Sequence, residues 1–74
     1  MIFVNDTGID YSDGMTVSSL VEMLKGIEDF KKFFIYDHTY AVIIEGCFIN
    51  REYYDTTPVE DGASITLRGV STGG

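Results

Sequence analysis

One helix stands out in the chain, in the segment Thr16-Val17-Ser18-Ser19-Leu20-Val21-Glu22-Met23-Leu24-Lys25-Gly26. Its apolar residues recur at the i, i+3, i+4, i+7 spacing that forms one face of a helix, namely Val17, Leu20, Val21 and Leu24. Thr16 stands at the N-cap position before this stripe, and Gly26 stands where a helix would stop. The segment predicts one amphipathic helix over Val17–Lys25.

Short extended segments lie on both sides of the helix. Before it, Met1-Ile2-Phe3-Val4 and Ile9-Asp10-Tyr11 enclose the turn residues Asn5-Asp6-Thr7-Gly8 and predict a hairpin. After it, strands are predicted for Tyr40-Ala41-Val42-Ile43-Ile44, Phe48-Ile49 and Ser64-Ile65-Thr66-Leu67-Arg68-Gly69-Val70. The order β, β, α, β, β, β predicts an α+β fold, with one mixed β-sheet packed against one main helix. The strand at residues 40–44 is apolar throughout, so we expect it to be central in the sheet.

Burial is predicted from the same periodicities. The expected core consists of Val4, Val17, Leu20, Leu24, Val42, Ile44, Ile65 and Leu67. We expect Cys47 to pack as a small apolar residue, and Phe30, Phe33 and Phe34 to be core aromatics. Periodicity does not decide between helix and strand for the region between residues 27 and 40. We expect residues 28–37 to be a peripheral cover or partner-specific surface that the fold does not require.

Composition and charge narrow the class of protein. The chain has 74 residues, 45% of them hydrophobic, and a formal net charge of −7 from twelve acidic and five basic residues. Such a surface is repelled by phosphate backbones and anionic lipids, so we expect no nucleic acid and no membrane, and a basic protein as partner. A lone cysteine and an N-terminus without a signal-peptide pattern favour the cytoplasm. His38 has no accompanying ligand cluster, so we expect a surface histidine and no metal site.

The sequence ends in Ser71-Thr72-Gly73-Gly74. Two glycines lack β-carbons and have wide backbone freedom, so this arm could thread a narrow channel. A partner enzyme could then bring the Gly74 carboxylate to the α-phosphate of ATP. The alternative is an ordinary frayed end. We expect a globular domain over residues 1–70 and a flexible diglycine tail over residues 71–74.

Three segments together resemble the ubiquitin-like sulfur carriers of the ThiS/MoaD family, which have the β-grasp fold. They are Phe3-Val4-Asn5, then Thr16-Val17-Ser18-Ser19-Leu20-Val21, and a run from Ile49-Asn50-Arg51 through Thr57-Pro58, Asp61-Gly62 and Ile65 to Gly73-Gly74. Their order and spacing cover the whole chain and are closest to the thiamine branch. The sequence departs from the family in three places. Asp6-Thr7 precede the glycine of the first turn, which predicts a longer turn. Residues 28–39 form an insertion, and Tyr54 stands where tryptophan is usual.

The resemblance implies a mechanism. An E1-like adenylyltransferase of the ThiF/MoeB type would use ATP to adenylate the Gly74 carboxylate, and a sulfur donor protein would convert the adenylate into a thiocarboxylate. Thr72 and Gly73 would give the channel access, and a sulfur-accepting synthase such as thiazole synthase would receive the sulfur for thiamine biosynthesis. The chain would be a protein co-substrate and not an enzyme, with no cofactor bound. The docking candidates are Glu45, Phe48, Ile49, Val59, Glu60 and Asp61.

Three alternatives remain open from the sequence. The carrier could serve molybdopterin synthesis or another sulfur pathway, although Arg68-Gly69-Val70-Ser71-Thr72 lacks the paired prolines associated with the molybdopterin branch. The chain could instead be a ubiquitin-like modifier that forms isopeptide bonds through Gly74. It could also be a non-covalent β-grasp interaction module.

Overall fold

The computed structural model describes residues 1–35 and 40–69, which form one mixed sheet and one main helix. The strands are β1 (Ile2–Val4), β2 (Thr7–Ile9), β3 (Tyr40–Ile44), β4 (Cys47–Ile49) and β5 (Ser64–Gly69). Their spatial order is β2-β1-β5-β3-β4, with β1 and β5 parallel and the other pairs antiparallel. The α+β prediction is confirmed. The centre of the sheet is β5 and not β3, which lies between β5 and the edge strand β4.

Helix α1 (Val17–Lys25) has the bounds that the sequence predicts. The Thr16 hydroxyl accepts a hydrogen bond from the Ser19 amide at 3.3 Å, and the Ser19 hydroxyl accepts one from the Thr16 amide at 2.9 Å. This reciprocal pair satisfies two amides at the start of the helix. In the ranges 1–35 and 40–69, no helix has the length and apolar character needed to cross a membrane.

The core lies between α1 and one face of the sheet. Seven of the eight predicted core residues are at most 3% exposed, and the eighth, Ile44, is only half-buried. Ile44 is the last residue of β3, beside the β3–β4 turn, so less protein covers it. Cys47 corrects a second expectation, because it begins the edge strand β4 and is exposed. The structure adds further core residues, namely Ile2, Ile9, Met15, Val21, Tyr40, Tyr54, Val59 and Ala63.

Residues after α1 form a 3₁₀ helix, Glu28–Phe34, that extends the cover over the sheet. Phe30 belongs to the core and is 3% exposed. Ile27, Phe33 and Phe34 are partly buried and pack against the core. The nine residues of α1 span about 13 Å, whereas the six of β5 span about 20 Å, so α1 alone does not cover the sheet. The aromatic prediction is confirmed for Phe30, while Phe33 and Phe34 are partly buried against the core. Burial of Phe30 shows that Glu28–Phe34 is not only a peripheral cover, and whether the fold requires residues 28–37 stays a prediction.

The β1–β2 connection is a two-residue turn made by Asn5 and Asp6, which have φ values of 50° and 69°. Val4 pairs directly with Thr7, so the predicted longer turn is wrong and Gly8 lies within β2. Asparagine and aspartate adopt positive φ more readily than most residues, which allows a tight hairpin without glycine in the turn. The Asn5 side chain also donates to the Leu67 carbonyl at 3.0 Å and accepts from the Leu67 amide at 2.9 Å.

Candidate functional site

Gly69 pairs with Tyr40 at one end of the sheet, and we call the surface around this pair the tail root. Thr72, Gly73 and Gly74, the residues predicted to carry the chemistry, lie outside the described residues, as do His38 and the predicted domain boundary after residue 70. Five extended residues reach at most about 17 Å. An enzyme that enclosed residues 70–74 in a channel and reacted with Gly74 would therefore contact the tail root.

Aromatic and guanidinium groups support the tail root from the core side. The rings of Phe34 and Tyr40 meet edge to face at 4.8 Å between centroids. The guanidinium of Arg51 donates to the Tyr40 hydroxyl at 3.1 Å and lies 4.6 Å from the Tyr40 ring centroid and 5.7 Å from that of Tyr54. Cation–π contacts and a hydrogen bond thus connect the 3₁₀ helix Arg51–Tyr53 to the first residue of β3.

Tyr54 lies in this cluster and is 7% exposed. Desolvation by burial raises the pKa of Tyr54, and the neighbouring Tyr40 raises it further, while Arg51 acts in the opposite direction. The phenol therefore stays neutral throughout the physiological pH range. Its position beside Arg51 gives Tyr54 a structural role at the tail root.

The face of the sheet opposite α1 carries exposed apolar side chains. Side chains on a strand alternate between faces, and Ile43 pairs with both Phe48 and Thr66 on the face away from the core. Phe48 is 67% exposed and Phe3 is 44% exposed. We call this surface the open face, defined by Phe3, Ile43, Phe48 and Thr66. Alternation in Met1-Ile2-Phe3-Val4 and in the β3 sequence would have identified Phe3 and Ile43, which the sequence analysis did not propose.

Two other apolar docking candidates lie elsewhere. Ile49 pairs with Val42, projects towards the core side at the edge of the sheet and is half-buried. Val59 is 2% exposed, and its amide donates to the Met15 carbonyl at 2.9 Å. Its side chain fills the core beneath the Pro58 turn and cannot contact a partner on the folded surface, which corrects the expectation for Val59.

The three acidic docking candidates line one groove of about 320 Å³, together with Ile44, Pro58, Gly62 and Ala63. We call this the acidic groove, defined by Glu45, Glu60 and Asp61. Glu45 has φ of 50° in the β3–β4 turn, and its carboxylate accepts a hydrogen bond from the Ser64 amide at 2.8 Å. Asp61 contacts the Met1 amino group. Glu45 thus also stabilises the sheet, a role that its turn position did not reveal.

The acidic groove and the tail root lie at opposite ends of β5. Ser64 begins this strand beside Glu45, and Gly69 ends it beside Tyr40. At about 3.3 Å per residue, the two sites are about 17 Å apart. The structure therefore brings the acidic candidates together but separates them from the tail root. Over residues 1–35 and 40–69, no three His, Cys, Asp or Glu side chains are grouped so that they could hold a metal ion.

The strand order, the helix crossing one face and the position of β5 before the tail define a ubiquitin-like β-grasp fold. Comparison with family models and with curated proteins gives no match. Among solved structures, the chain is similar to the crystal structure of a thiamine biosynthesis protein, ThiS, from Geobacter metallireducens. The two chains are 24% identical with a TM-score of 0.72, and the match covers 99% of this chain and 97% of that chain. This likeness confirms the β-grasp fold.

Proposed function

We propose that the chain is a sulfur carrier of the ThiS type, with Gly74 as its functional carboxyl terminus. The observation that carries the proposal is the fold likeness to a ThiS protein over 99% of the chain, in a sequence that ends in Gly73-Gly74 five residues after the central strand. The pathway we propose is formation of the thiazole of thiamine, with thiazole synthase as the acceptor.

The proposed chemistry takes place on the main chain. A carboxylate oxygen of Gly74 attacks the α-phosphorus of ATP on an adenylyltransferase, and pyrophosphate leaves. Hydrosulfide delivered by a donor protein then attacks the acyl carbon of the adenylate, AMP leaves, and loss of the thiol proton gives a C-terminal thiocarboxylate. The carrier supplies the reacting carboxylate and the surfaces that dock it. It acts as a co-substrate in the cytoplasm, and ATP belongs to the partner enzyme.

The described residues have two tasks in this proposal. The tail root must keep Gly69 in a fixed place, and the central position of β5 and the Arg51–Tyr40 contacts support this. The partner must also bind the folded domain, and Phe48 with the rest of the open face offers exposed apolar area for that purpose. We assign Glu45, Glu60 and Asp61 to a second contact, with a basic surface of the partner.

The experiment compares the full chain with a variant lacking Gly74 and with Gly74→Val, in ATP–pyrophosphate exchange with a ThiF-type adenylyltransferase. We expect both variants to lose exchange and to keep the melting temperature of the full chain, because an arm beyond the last strand adds almost nothing to stability. Gly73→Ala should retain partial activity, since its methyl group restricts the backbone and crowds the channel.

Intact mass after addition of a sulfur donor separates the alternatives. A sulfur carrier gains about 16 Da when sulfur replaces one oxygen of the activated carboxyl group. A modifier gains the mass of a target protein, and a non-covalent module gains nothing. Exchange by the variant lacking Gly74 at the rate of the full chain would refute the proposal.

A further inference from the structure

The basic residues of the chain gather at one end of the molecule. All five belong to elements at the tail-root end, namely Lys25, Lys31, Lys32, Arg51 and Arg68. Helix α1 begins beside Thr57 and Pro58 at the acidic-groove end, so its last residue, Lys25, lies at the other end, where α1 packs against Glu28–Phe34. The same elements also carry Glu22, Glu28, Asp29 and Glu52, so this end is not cationic overall. Every basic residue of a chain of net charge −7 nevertheless lies at the end from which the proposed reactive tail follows.

Two of these cations have no carboxylate partner among residues 1–35 and 40–69. Lys25 pairs with Glu22 at 3.7 Å and Lys31 with Glu28 at 3.2 Å. Lys32 lies only over the Phe33 ring, at 5.4 Å, and Arg68 has no ion pair within the described ranges. Both side chains are exposed. We call these two exposed cations, Lys32 and Arg68, the basic collar.

The basic collar flanks the tail root from both faces of the sheet. Arg68 follows the buried Leu67 and precedes Gly69, so it projects from the face opposite the core. Lys32 belongs to the 3₁₀ helix on the core side, two residues before Phe34, whose ring contacts Tyr40. Because Tyr40 is the strand partner of Gly69, one collar cation lies on each side of the sheet beside the tail root.

We propose that the basic collar docks against acidic side chains at the mouth of the channel through which the adenylyltransferase admits the tail, an inference that rests on the proposed function. The reach of the tail favours a protein carboxylate over the phosphates of ATP. With Gly74 at the α-phosphate and residues 70–74 extended, Gly69 is about 17 Å from the nucleotide, beyond the length of either side chain. The collar therefore meets the rim of the channel and not its reactive centre.

Charge complementarity at the collar also orients the carrier. An acidic channel mouth repels the acidic groove, which is left to the basic surface of the partner, and attracts the two exposed collar cations beside the tail root. An encounter between the channel mouth and the acidic-groove end is thus disfavoured before contact. The collar is expected to raise the rate of productive association without changing the chemical step.

The test measures kcat and KM for the carrier in ATP–pyrophosphate exchange, at low ionic strength and at about 0.5 M salt. Lys32→Gln and Arg68→Gln each make the net charge one unit more negative, and so does the control Ser12→Asp, in an exposed turn at the other end of the molecule. At low ionic strength, each collar variant should lower kcat/KM about 3-fold through the KM for the carrier, whereas Ser12→Asp should have little effect. At high salt all three variants should match the original chain.

The control and the assay distinguish the possible failures. An equal loss with Ser12→Asp would show a general charge effect and would overturn the collar. Unchanged kinetics in both collar variants would also overturn the collar proposal. A rise in the KM for ATP would overturn it as well, because it would indicate contact with the nucleotide. In each of these cases the original chain still supports exchange, so the proposed function stands. If the original chain itself supports none, the proposed function fails and the collar inference falls with it.

Discussion

Replacing Phe30 with alanine tests whether the segment Glu28–Phe34 is part of the core. Phe30 is 3% exposed, and removal of a buried phenylalanine ring costs about 3 to 5 kcal/mol. A domain of 74 residues has a free energy of unfolding of about 4 to 11 kcal/mol. The substitution therefore removes a large fraction of the total stability. With an unfolding entropy of about 0.16 kcal/mol/K for this length, a loss of 3 kcal/mol lowers Tm by about 20 °C.

The assay is urea unfolding followed by circular dichroism, with Ile35→Ala as the matched control. Ile35 follows the same 3₁₀ helix but is 68% exposed, so its substitution should change the free energy of unfolding by less than about 0.5 kcal/mol. A loss below about 1 kcal/mol for Phe30→Ala would refute the argument that this helix completes the core. Residues 28–34 would then be the dispensable cover that the sequence alone suggested.

Three further predictions concern other parts of the molecule. Asn5→Ala should destabilise the fold by about 2 to 4 kcal/mol in urea unfolding, because it removes two hydrogen bonds to Leu67 and places alanine at a φ of 50°. Association with the adenylyltransferase, measured by titration calorimetry, should weaken as salt rises and should be weaker for Glu60→Gln, whereas salt-independent binding would indicate a purely apolar interface. The raised pKa of Tyr54 contributes stability that is complete below its ordinary value of 10.0 and is lost as pH rises through the folded-state pKa. Stability should therefore fall in alkaline solution, and less steeply in Tyr54→Phe.

The sequence predicted helix α1 to the residue because its signals are local. The Thr16 cap, the apolar stripe and Gly26 lie within eleven consecutive positions, and none depends on the rest of the fold. Alternation within β5 likewise predicted Ile65 and Leu67 as core residues. The β-grasp topology came from the resemblance, since strand order depends on contacts between distant segments.

Burial of individual residues outside regular elements was harder to predict. Val59 follows a proline in a turn and carries no periodic signal, yet it fills the space beneath that turn. Phe30 is buried because α1 is shorter than the sheet, which is a property of the assembled layers. The collar of Lys32 and Arg68 depends on two segments meeting at the tail root, so no spacing in the sequence indicates it.

Because β5 is the central strand, the surfaces of the folded protein form only when β5 completes the sheet. This strand is last in the described chain, yet it occupies the middle of the sheet and pairs with β1 on one side and β3 on the other. During synthesis, β1 and β3 have no partner between them until β5 has left the ribosome, so the sheet cannot close earlier. The open face, the acidic groove and the collar all depend on that closure. Under the proposed function, an adenylyltransferase that requires these surfaces before it accepts Gly74 would discriminate against unfinished or misfolded chains without a separate inspection step.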